Sequence, residues 1–449
     1  MKPNVLSRLL LTALALTATL QASAQVTDRL IFQDAKVNPE FSVDGRHLAW
    51  TLRTTQGDQT AFTVWYDRID PISGLPVSQG AYGTQVGDGT ATTLPQWGQA
   101  APSGAPNCPL FDGNYAVFTT PDFYFAKIYG TTSGPPCVEV LGPDRDSAPP
   151  AARRLRTHPF PMKNIGVPNQ WVSFTIDDTQ SHLIRVFVVD LSQQDVRPIQ
   201  VHEEPRTTPW GTLSATFYSR PWWRLGGTRL YFGMYDSLCE NECPVQIGYV
   251  DTAALGTPEI LVTSDGLSKV SMYPYMLDGV ARFSAGSDFT VTGLLYREAS
   301  SGNFIIENIV PYESWQSGLV SSDDSFDPFL HQSFETFVWG GETYASYTIS
   351  EQNNDGKQAA VTQQTEVWIA KLSGPDVFNC RVSAIDELGQ PMSRTEPEPV
   401  IAGSRAYLYY SSGPIAIDDL SYAYQLRRIS IPSKSAFDAA CAAGNVITQ

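Results

Sequence analysis

Short runs of alternating apolar and polar residues, separated by turn residues, recur along most of the chain. The clearest case is Pro39–Thr51, in which the Asp-Gly pair Asp44-Gly45 lies between two short apolar segments. An Asp-Gly pair in this setting is typical of a β-hairpin. A similar order of residues returns at Pro221–Phe232 and at Pro397–Leu408. The pattern therefore predicts a repeated hairpin unit.

A further apolar segment follows each hairpin and usually ends in an acidic or turn residue. These segments are spaced by about the length of a propeller blade with its loops. The only strong helical pattern is at Lys434–Ala443, and Gly and Pro fall between strands. The sequence predicts one all-β domain, a β-propeller of seven four-stranded blades, with counts from about six to eight left open. The segments are Phe62–Asp67, Phe123–Tyr129, Leu183–Asp190, Gln246–Asp251, Phe304–Val310, Glu366–Leu372 and Tyr424–Ile431.

The two ends of the chain predict how the propeller closes. The residues after Ile431 are too polar and too rich in Ala to be a good fourth strand of the last blade. The segment Asp28–Gln33 has strand character and precedes the first hairpin. We expect it to supply the outer strand of the last blade, because an uncovered strand edge pairs with other chains.

The segment Pro39–Trp50, which reads P-x-F-S-x-D-G-R-x-L-A-W, resembles the TolB-type propeller repeat, the WD40-like repeat of exported bacterial proteins. The match is close there and weaker at Pro221–Phe232, while the Asp-Gly pair recurs at Asp112-Gly113 and Asp278-Gly279. The resemblance implies a propeller of four-stranded blades. It implies no single activity, since this fold occurs in binding proteins, peptidase gate domains and polysaccharide-degrading enzymes.

The start of the chain has the composition of an export signal. Lys2 and Arg8 precede the apolar run Leu9–Leu20, and Ala22–Ala24 fits a small-residue cleavage site. The run is shorter than the ~20 apolar residues of a transmembrane helix. We therefore expect a periplasmic or secreted protein without membrane insertion. The predicted division is a signal peptide over residues 1–24, a propeller over 25–432 and a C-terminal tail over 433–449.

The six cysteines favour disulfides, because an even number of cysteines in an exported chain is typical of a disulfide framework. A metal site is the alternative, but the chain has no paired C-x-x-C motif with nearby histidines. The order of the repeats brings three pairs of cysteines together. The predicted bonds are Cys108–Cys137, Cys239–Cys243 and Cys380–Cys441, the last tying the tail to the last repeat.

The charge of the chain argues against nucleic acid and anionic membranes as partners. The full sequence has 46 acidic and 30 basic residues, and loss of the signal removes Lys2 and Arg8, which leaves a balance of −18. A chain this acidic repels phosphate backbones and anionic lipid.

The usual catalytic and metal-binding motifs are absent from the sequence. It contains no G-x-S-x-G, H-E-x-x-H or C-x-x-C-H motif, no phosphate-binding loop and no EF-hand loop, and its five histidines are dispersed. The acidic pairs Asp177-Asp178 and Asp418-Asp419, and the group Asp323, Asp324 and Asp327, are more typical of solvated turns than of a site. The sequence therefore identifies no catalytic residue, no metal site and no cofactor.

Residues around the repeated proline begin the innermost strand of each blade, and inner strands line the central channel of a propeller. Aromatic side chains there can stack on a sugar or a peptide, and carboxylates can bind hydroxyl or amine groups. The alternative is that many of these side chains only fill the channel. The predicted ligand-binding residues are Glu40, Trp97, Arg220, Trp222, Tyr273, Tyr275, Asp327 and Glu398.

These features favour a non-catalytic, monomeric, exported propeller that binds a protein or glycan ligand at the mouth of its channel. The alternative is a glycoside hydrolase or polysaccharide lyase that uses Glu40, Asp327 and Glu398, provided that two carboxylates lie ~5–10 Å apart. A structural role in an envelope complex is a third possibility. The missing catalytic motifs favour binding over catalysis.

Overall fold

The protein forms two compact units, a larger one of residues 35–313 and a smaller one that combines residues 1–34 with 314–449. The predicted signal peptide and the predicted Cys239–Cys243 bond lie outside the described residues. The computed structural model describes residues 26–32, 39–56, 59–78, 83–86, 95–120, 124–143, 154–156, 159–178, 181–193, 196–205, 207–208, 211–212, 221–235, 245–257, 259–267, 269–287, 290–310, 330–350, 365–374, 378–383, 392–414, 425–431 and 433–442.

Almost all regular structure in these residues is β-strand. The chain begins with β1 (Thr27–Phe32). The larger unit contains β2 (Glu40–Phe41), β3 (His47–Gln56), β4 (Gln59–Arg68), β5 (Thr84–Val86), β6 (Gln96–Gln99), β7 (Phe111–Thr119), β8 (Tyr124–Thr131), β9 (Cys137–Pro143), β10 (Arg154–Arg156), β11 (Phe160–Pro161), β12 (Trp171–Asp178), β13 (Leu183–Asp190), β14 (Ile199–Pro205), β15 (Thr207–Thr208), β16 (Gly211–Thr212), β17 (Trp222–Trp223), β18 (Arg229–Tyr235), β19 (Val245–Asp251), β20 (Ile260–Leu261), β21 (Val270–Leu277), β22 (Val280–Ser287), β23 (Thr290–Glu298) and β24 (Phe304–Val310), with 3-10 turns at Pro102–Gly104 and Thr252–Ala254. The smaller unit contains β25 (Leu330–Trp339), β26 (Glu342–Ser350), β27 (Thr365–Lys371), β28 (Phe378–Arg381), β29 (Met392–Ala402), β30 (Arg405–Pro414), β31 (Gln425–Ile431) and the helix α1 (Lys434–Ala442).

Apart from the hairpin of β15 and β16, these strands form seven antiparallel sheets, so the fold is a seven-bladed β-propeller, as predicted. In blade 3 the inner strand is divided, because β10 and β11 both pair with β12; β15 and β16 form a separate hairpin. From the inner strand outward, the blades are β2 to β5, β6 to β9, β10 and β11 to β14, β17 to β20, β21 to β24, β25 to β28, and β29, β30, β31 and β1.

The Asp-Gly turn of the first blade forms for the predicted reason. Gly45 has a φ of +70°, a left-handed conformation that glycine adopts without steric cost. The backbone N–H of Gly45 donates to the carbonyl of Ser42 at 2.8 Å, and Asp44 Oδ1 accepts from the Ser42 hydroxyl at 2.8 Å. The turn is therefore fixed by its own residues.

The N-terminal strand closes the last blade, as predicted. Strand β1 pairs antiparallel with β31, with Thr27 opposite Ser430 and Arg29 opposite Arg428. The side chain of Asp28 is fully buried and accepts a hydrogen bond from Arg427 Nε at 3.1 Å. The seventh sheet thus has its fourth strand from the opposite end of the chain.

One predicted strand has a different place in its blade. The segment Phe304–Val310 was expected to be the strand after the hairpin of blade 5, but that place belongs to β23, Thr290–Glu298. Phe304–Val310 is the outer strand, with Phe304 buried and Ile305 exposed. The continuous apolar character of the outer strand concealed the preceding strand, whose sequence has a glycine and more polar residues.

Apolar clusters lie between successive blades of each unit. In the larger unit, Trp97 packs with Tyr66 between blades 1 and 2, and Trp222 packs with Phe283 between blades 4 and 5. In the smaller unit one cluster joins blades 6 and 7 and includes Phe437 of α1. Burial of large apolar side chains at ~1.5–3 kcal/mol each makes these junctions the main source of stability.

Two of the three predicted disulfides are present. Cys108 bonds to Cys137, with Cα atoms 5.9 Å apart, and Cys380 bonds to Cys441, with Cα atoms 5.5 Å apart. The second bond ties α1 to β28, as expected for the tail. No helix among the described residues is long and apolar enough to span a membrane.

Candidate ligand-binding site

Each blade has one residue at which the last uninterrupted run of pairing between its inner strand and its second strand begins. We call this residue the first-paired position. In blades 1, 2, 3, 4 and 7 it directly follows a buried proline, and in blades 5 and 6 it follows a break in the strand register. The occupants in blade order are Glu40, Gln96, Phe160, Trp222, Tyr273, Glu335 and Glu398.

Most of these side chains are partly exposed. In the larger unit this holds for Glu40, Gln96, Phe160 and Tyr273, and in the smaller unit it holds for Glu335 and Glu398. Trp222 is the exception, with 6% of its surface exposed. The first-paired position therefore presents side chains at the surface in six of the seven blades.

The residue after the first-paired position has a structural role at two blade junctions. Trp97 and Trp223 are both buried. The indole N–H of Trp97 donates to the backbone carbonyl of Glu40 at 2.7 Å, and that of Trp223 donates to the backbone carbonyl of Phe160 at 2.7 Å. Each bond joins two neighbouring inner strands and fixes a first-paired residue through its backbone.

The carboxylate of Glu40 is also positioned by the next blade. Gln96 Nε2 donates to Glu40 Oε1 at 2.6 Å. This bond orients the carboxylate of Glu40 toward blade 2. Blade 2 thus holds Glu40 at both its backbone and its side chain.

Trp97 forms part of a buried network and not an exposed platform. Its ring stacks on His47 with centroids 5.6 Å apart. His47 Nε2 lies 2.6 Å from Asp112 Oδ2 and Nδ1 lies 2.8 Å from the Tyr66 hydroxyl. Burial raises the pKa of Asp112, but the hydrogen bond to His47 and further partners lower it overall to about 2. Both ring nitrogens of His47 have partners within the protein, so this His-Asp pair supports the junction of blades 1 and 2.

Two other predicted aromatic residues are also buried. Trp222 stacks on Tyr231 with centroids 4.4 Å apart, and it packs obliquely on Phe283 at 5.5 Å. Its indole N–H is buried and has no hydrogen-bond acceptor among the described residues. Tyr275 is 5% exposed and lies two residues after the first-paired position of its strand. Neither ring presents an open face to a ligand.

The remaining predicted residues fall into two groups. Tyr273 and Glu398 occupy first-paired positions and are partly exposed. Arg220 and Asp327 lie outside the described residues.

The sequence did not predict Glu335, because the hairpin of its blade turns at Gly340-Gly341 and lacks the Asp-Gly pair. Its position could instead be found by counting back along the inner strand from the Gly340-Gly341 turn.

Lys127 is a buried lysine whose ammonium group is fully engaged within the protein. The ammonium of Lys127 lies 2.9 Å from Gln170 Oε1, 2.7 Å from the carbonyl oxygen of Leu191 and 2.8 Å from Glu139 Oε2. Burial lowers the pKa of Lys127 in spite of its bonds to Glu139. Three acceptors occupy all three N–H groups, so Lys127 supports the junction of blades 2 and 3. No group of His, Cys, Asp and Glu in the described part of the chain could hold a metal ion.

No family model matches the sequence, and no curated protein matches it in sequence. The structure is similar to an oligogalacturonate lyase in complex with manganese, at a TM-score of 0.44 and 11% identity, covering 92% of each chain. It is similar to a sialidase of Trypanosoma rangeli, at a TM-score of 0.42 and 9% identity, covering 93% of this chain and 60% of that one. It is also similar to the WD40 domain of SCAP from fission yeast, at a TM-score of 0.37 and 8% identity, covering 92% and 99%. At these scores and identities none of the three supports an inference about activity.

Proposed function

We propose that the protein is an exported, non-catalytic β-propeller of the TolB type that binds a protein or glycan ligand through the first-paired positions of its inner strands. One observation carries this proposal. The first-paired side chains are partly exposed in six blades, whereas the following residue is buried at the two junctions where a tryptophan fixes the strand. Side chains held in place and presented at the surface are what a preformed binding site requires.

The chemistry of these side chains suits a polar ligand. Glu40, Gln96, Phe160 and Tyr273 in the larger unit supply a carboxylate, an amide and two aromatic rings. A carboxylate or an amide forms directional hydrogen bonds, and an aromatic ring covers an apolar face. The predicted residues Arg220 and Asp327 belong to the same proposal.

A paired screen tests the proposal. The purified protein is probed on a glycan array and a peptide array, alongside the variants Glu40→Gln and Phe160→Ala. We expect a ligand whose binding weakens ~10-fold or more with either variant, since removal of a central contact costs ~1–3 kcal/mol. The control is Ile199→Ala, an exposed side chain on the outer strand β14. Ligands that bind all four proteins equally would contradict this site.

A glycan-active enzyme is the second candidate. The observation that favours it is that Glu335 and Glu398 occupy the first-paired positions of β25 and β29, which are in contact in the smaller unit. Glycosidases use two carboxylates ~5–10 Å apart. Release of reducing ends from any bound glycan, lost in both Glu335→Gln and Glu398→Gln, would favour catalysis over binding.

A further inference from the structure

The two ends of the chain are buried together in the smaller unit. Val26, which directly precedes β1, is 1% exposed and belongs to the apolar cluster that also contains Phe437 and Cys441 of α1. Thr27 pairs with Ser430 near the end of β31, and α1 follows that strand in sequence. The start of the closing strand therefore shares its apolar surroundings with the C-terminal helix.

The helix α1 is too short to be stable by itself. It has nine residues, and isolated helices shorter than ~12–15 residues are marginal in water. Its buried side chains are those of Phe437 and Cys441, which pack into the same cluster as Val26. We therefore expect α1 to remain folded only while it is attached to blade 6.

Ion pairs and one disulfide attach α1 to blade 6. Lys434 pairs with Glu342, and Asp438 lies 3.3 Å from Lys371 Nζ. All of these side chains except that of Lys371 are partly exposed, and ion pairs that reach solvent are weakened by water and salt. The Cys380–Cys441 bond is covalent and joins the last turn of α1 to β28. This bond is therefore the attachment on which the position of the helix depends most.

Strand β1 has few buried side chains of its own. Thr27, Arg29 and Leu30 are exposed, whereas Val26 and the side chain of Asp28 are buried. Release of α1 removes part of the cluster around Val26 and leaves the hydrogen bonds of Asp28 to hold the strand. An edge strand with few buried contacts opens before the rest of a fold.

We propose that the Cys380–Cys441 bond controls the closure of blade 7. Strand β1 stays paired with β31 while the bond holds α1 in place, and it separates from β31 when the bond is absent. The observation that carries the proposal is the burial of Val26 in one cluster with Phe437 and the bonded Cys441. The proposal goes beyond the proposed function, because it involves no ligand.

The two states are related by thiol–disulfide exchange. Oxidation removes two electrons and two protons from the thiols of Cys380 and Cys441, and the disulfide of an oxidising partner accepts them and becomes a dithiol. Reduction by a dithiol reverses both transfers. Because the two cysteines are only 3% and 5% exposed, a reductant reaches the bond only when α1 opens locally. Blade 7 therefore closes in an oxidising compartment, which fits the predicted export, and stays closed there.

Hydrogen exchange tests the proposal on the purified full-length mature protein and on the double variant Cys380→Ser with Cys441→Ser. We expect the amides of β1 and α1 to exchange ~10-fold faster or more in the variant, while those of β29 and β30 change little, because only the edge strand and the helix are released. The matched control is the double variant Cys108→Ser with Cys137→Ser, which removes the disulfide of blade 2 in the larger unit. In this control β1 should exchange as it does in the wild type.

Trypsin cleavage after Arg29 gives a second measurement, because a protease cuts a paired strand only after it has separated. Arg29 is exposed but lies within β1, where it is paired with β31. When the oxidised wild type is treated with dithiothreitol, alkylation of Cys441 and cleavage after Arg29 should increase together. This measurement needs no substitution, so it decides the question even if the double variant does not fold.

Three results would overturn the proposal. Equal protection of β1 in the wild type and the variant would mean that α1 does not hold the strand. An increase in exchange of the same size in β1, β29 and β30 would mean that the bond stabilises the whole smaller unit and not the closing strand. Faster exchange of β1 in the control variant would mean that the effect is not specific to the Cys380–Cys441 bond. None of these results changes the test of the proposed function, which measures ligand binding.

Discussion

The indole N–H of Trp97 donates to the backbone carbonyl of Glu40 at 2.7 Å and thereby joins blade 2 to blade 1. The same bond recurs between Trp223 and Phe160, where it joins blade 4 to blade 3. In both cases a buried tryptophan holds a partly exposed residue of the neighbouring inner strand. Blade packing and the candidate binding site therefore depend on the same hydrogen bonds.

Replacement of Trp97 by Phe should destabilise the larger unit and weaken ligand binding. The phenyl ring can still pack against His47 and Tyr66, but the bond to the Glu40 carbonyl is lost. Loss of one partner of a buried hydrogen bond costs ~1–3 kcal/mol. Urea unfolding measures the change in the free energy of unfolding.

The matched control for this variant is Trp65→Phe. The Trp65 indole donates at 3.0 Å to the hydroxyl of Thr63 on its own strand, and its side chain is partly exposed. We expect a much smaller loss of stability. Equal losses of stability in the two variants would mean that the bond between blades 1 and 2 stabilises the protein no more than a bond within one strand does.

Much of the fold could be predicted because hairpin turns and strand alternation are local. The Asp44-Gly45 turn forms from its own side chains, and the strand character of the first residues was sufficient to place β1 beside β31. Both described disulfides were predicted from the order of the repeats. The strand order of blade 5 was predicted incorrectly, because apolar character does not distinguish a third strand from an outer one.

The candidate site could be predicted only in part. The proline pattern places Glu40 and Glu398 correctly, but it also selects Trp97, one residue further along the strand, where the side chain is buried. Successive residues of a strand face opposite sides, so an error of one residue reverses exposure. In blades 5 and 6 the first-paired position follows a break in the pairing of the inner strand, and it is occupied by Tyr273 and Glu335. Such breaks are set by long-range hydrogen bonds and leave little trace in the sequence.

Removal of the Asp28 side chain should destabilise the smaller unit strongly. Asp28 is fully buried, accepts from Arg427 Nε at 3.1 Å and accepts a hydrogen bond from the Tyr410 hydroxyl. Asp28→Ala removes one charged partner of Arg427, whose side chain is 15% exposed, and the acceptor of the Tyr410 hydroxyl, which should cost ~1–3 kcal/mol. Thermal and urea unfolding measure the loss. Arg29→Ala, on an exposed residue of the same strand, is the control, and a loss of similar size there would argue against a specific role for Asp28.

Loss of the Cys380–Cys441 bond should loosen the helix α1. The bond closes a sequence separation of 61 residues, and Phe437 of the helix packs on Trp339 and Phe378 at centroid distances of 6.0 and 5.9 Å. We expect Cys441→Ser to lower the free energy of unfolding by ~2–4 kcal/mol. Hydrogen exchange should then increase in α1 before it increases in β26 or β27.

The double variant Cys380→Ser with Cys441→Ser serves as the control for this prediction. Because each single variant already breaks the bond, the double variant should lose little more than Cys441→Ser alone. Wild-type stability in the single variant would contradict a stabilising role for the disulfide.

His202 lies between two carboxylates at the junction of blades 3 and 4. Its Nδ1 is 3.2 Å from Glu259 Oε1, its Nε2 is 3.6 Å from Glu204 Oε2, and its ring contacts Phe232 with centroids 4.9 Å apart. Burial lowers the pKa of His202, but the carboxylates of Glu204 and Glu259 outweigh it and raise the pKa above its usual value. The folded state therefore favours the protonated ring.

The stabilising effect of His202 should consequently be largest at acidic pH. A group whose pKa is higher in the folded state contributes its full stability below its unfolded pKa, here ~6.5, and loses it as the pH rises through the folded-state value. We expect His202→Gln to lower the free energy of unfolding by ~1–3 kcal/mol below that pH, and the difference from wild type to shrink as the pH increases. Urea unfolding at a series of pH values measures this difference.

Glu259→Gln should reduce the same pH dependence. Glu203→Gln should not, because Glu203 pairs with Arg185 at 2.7 Å on the same strand pair. A difference that stays constant or grows with pH would mean that the two carboxylates do not stabilise the protonated ring.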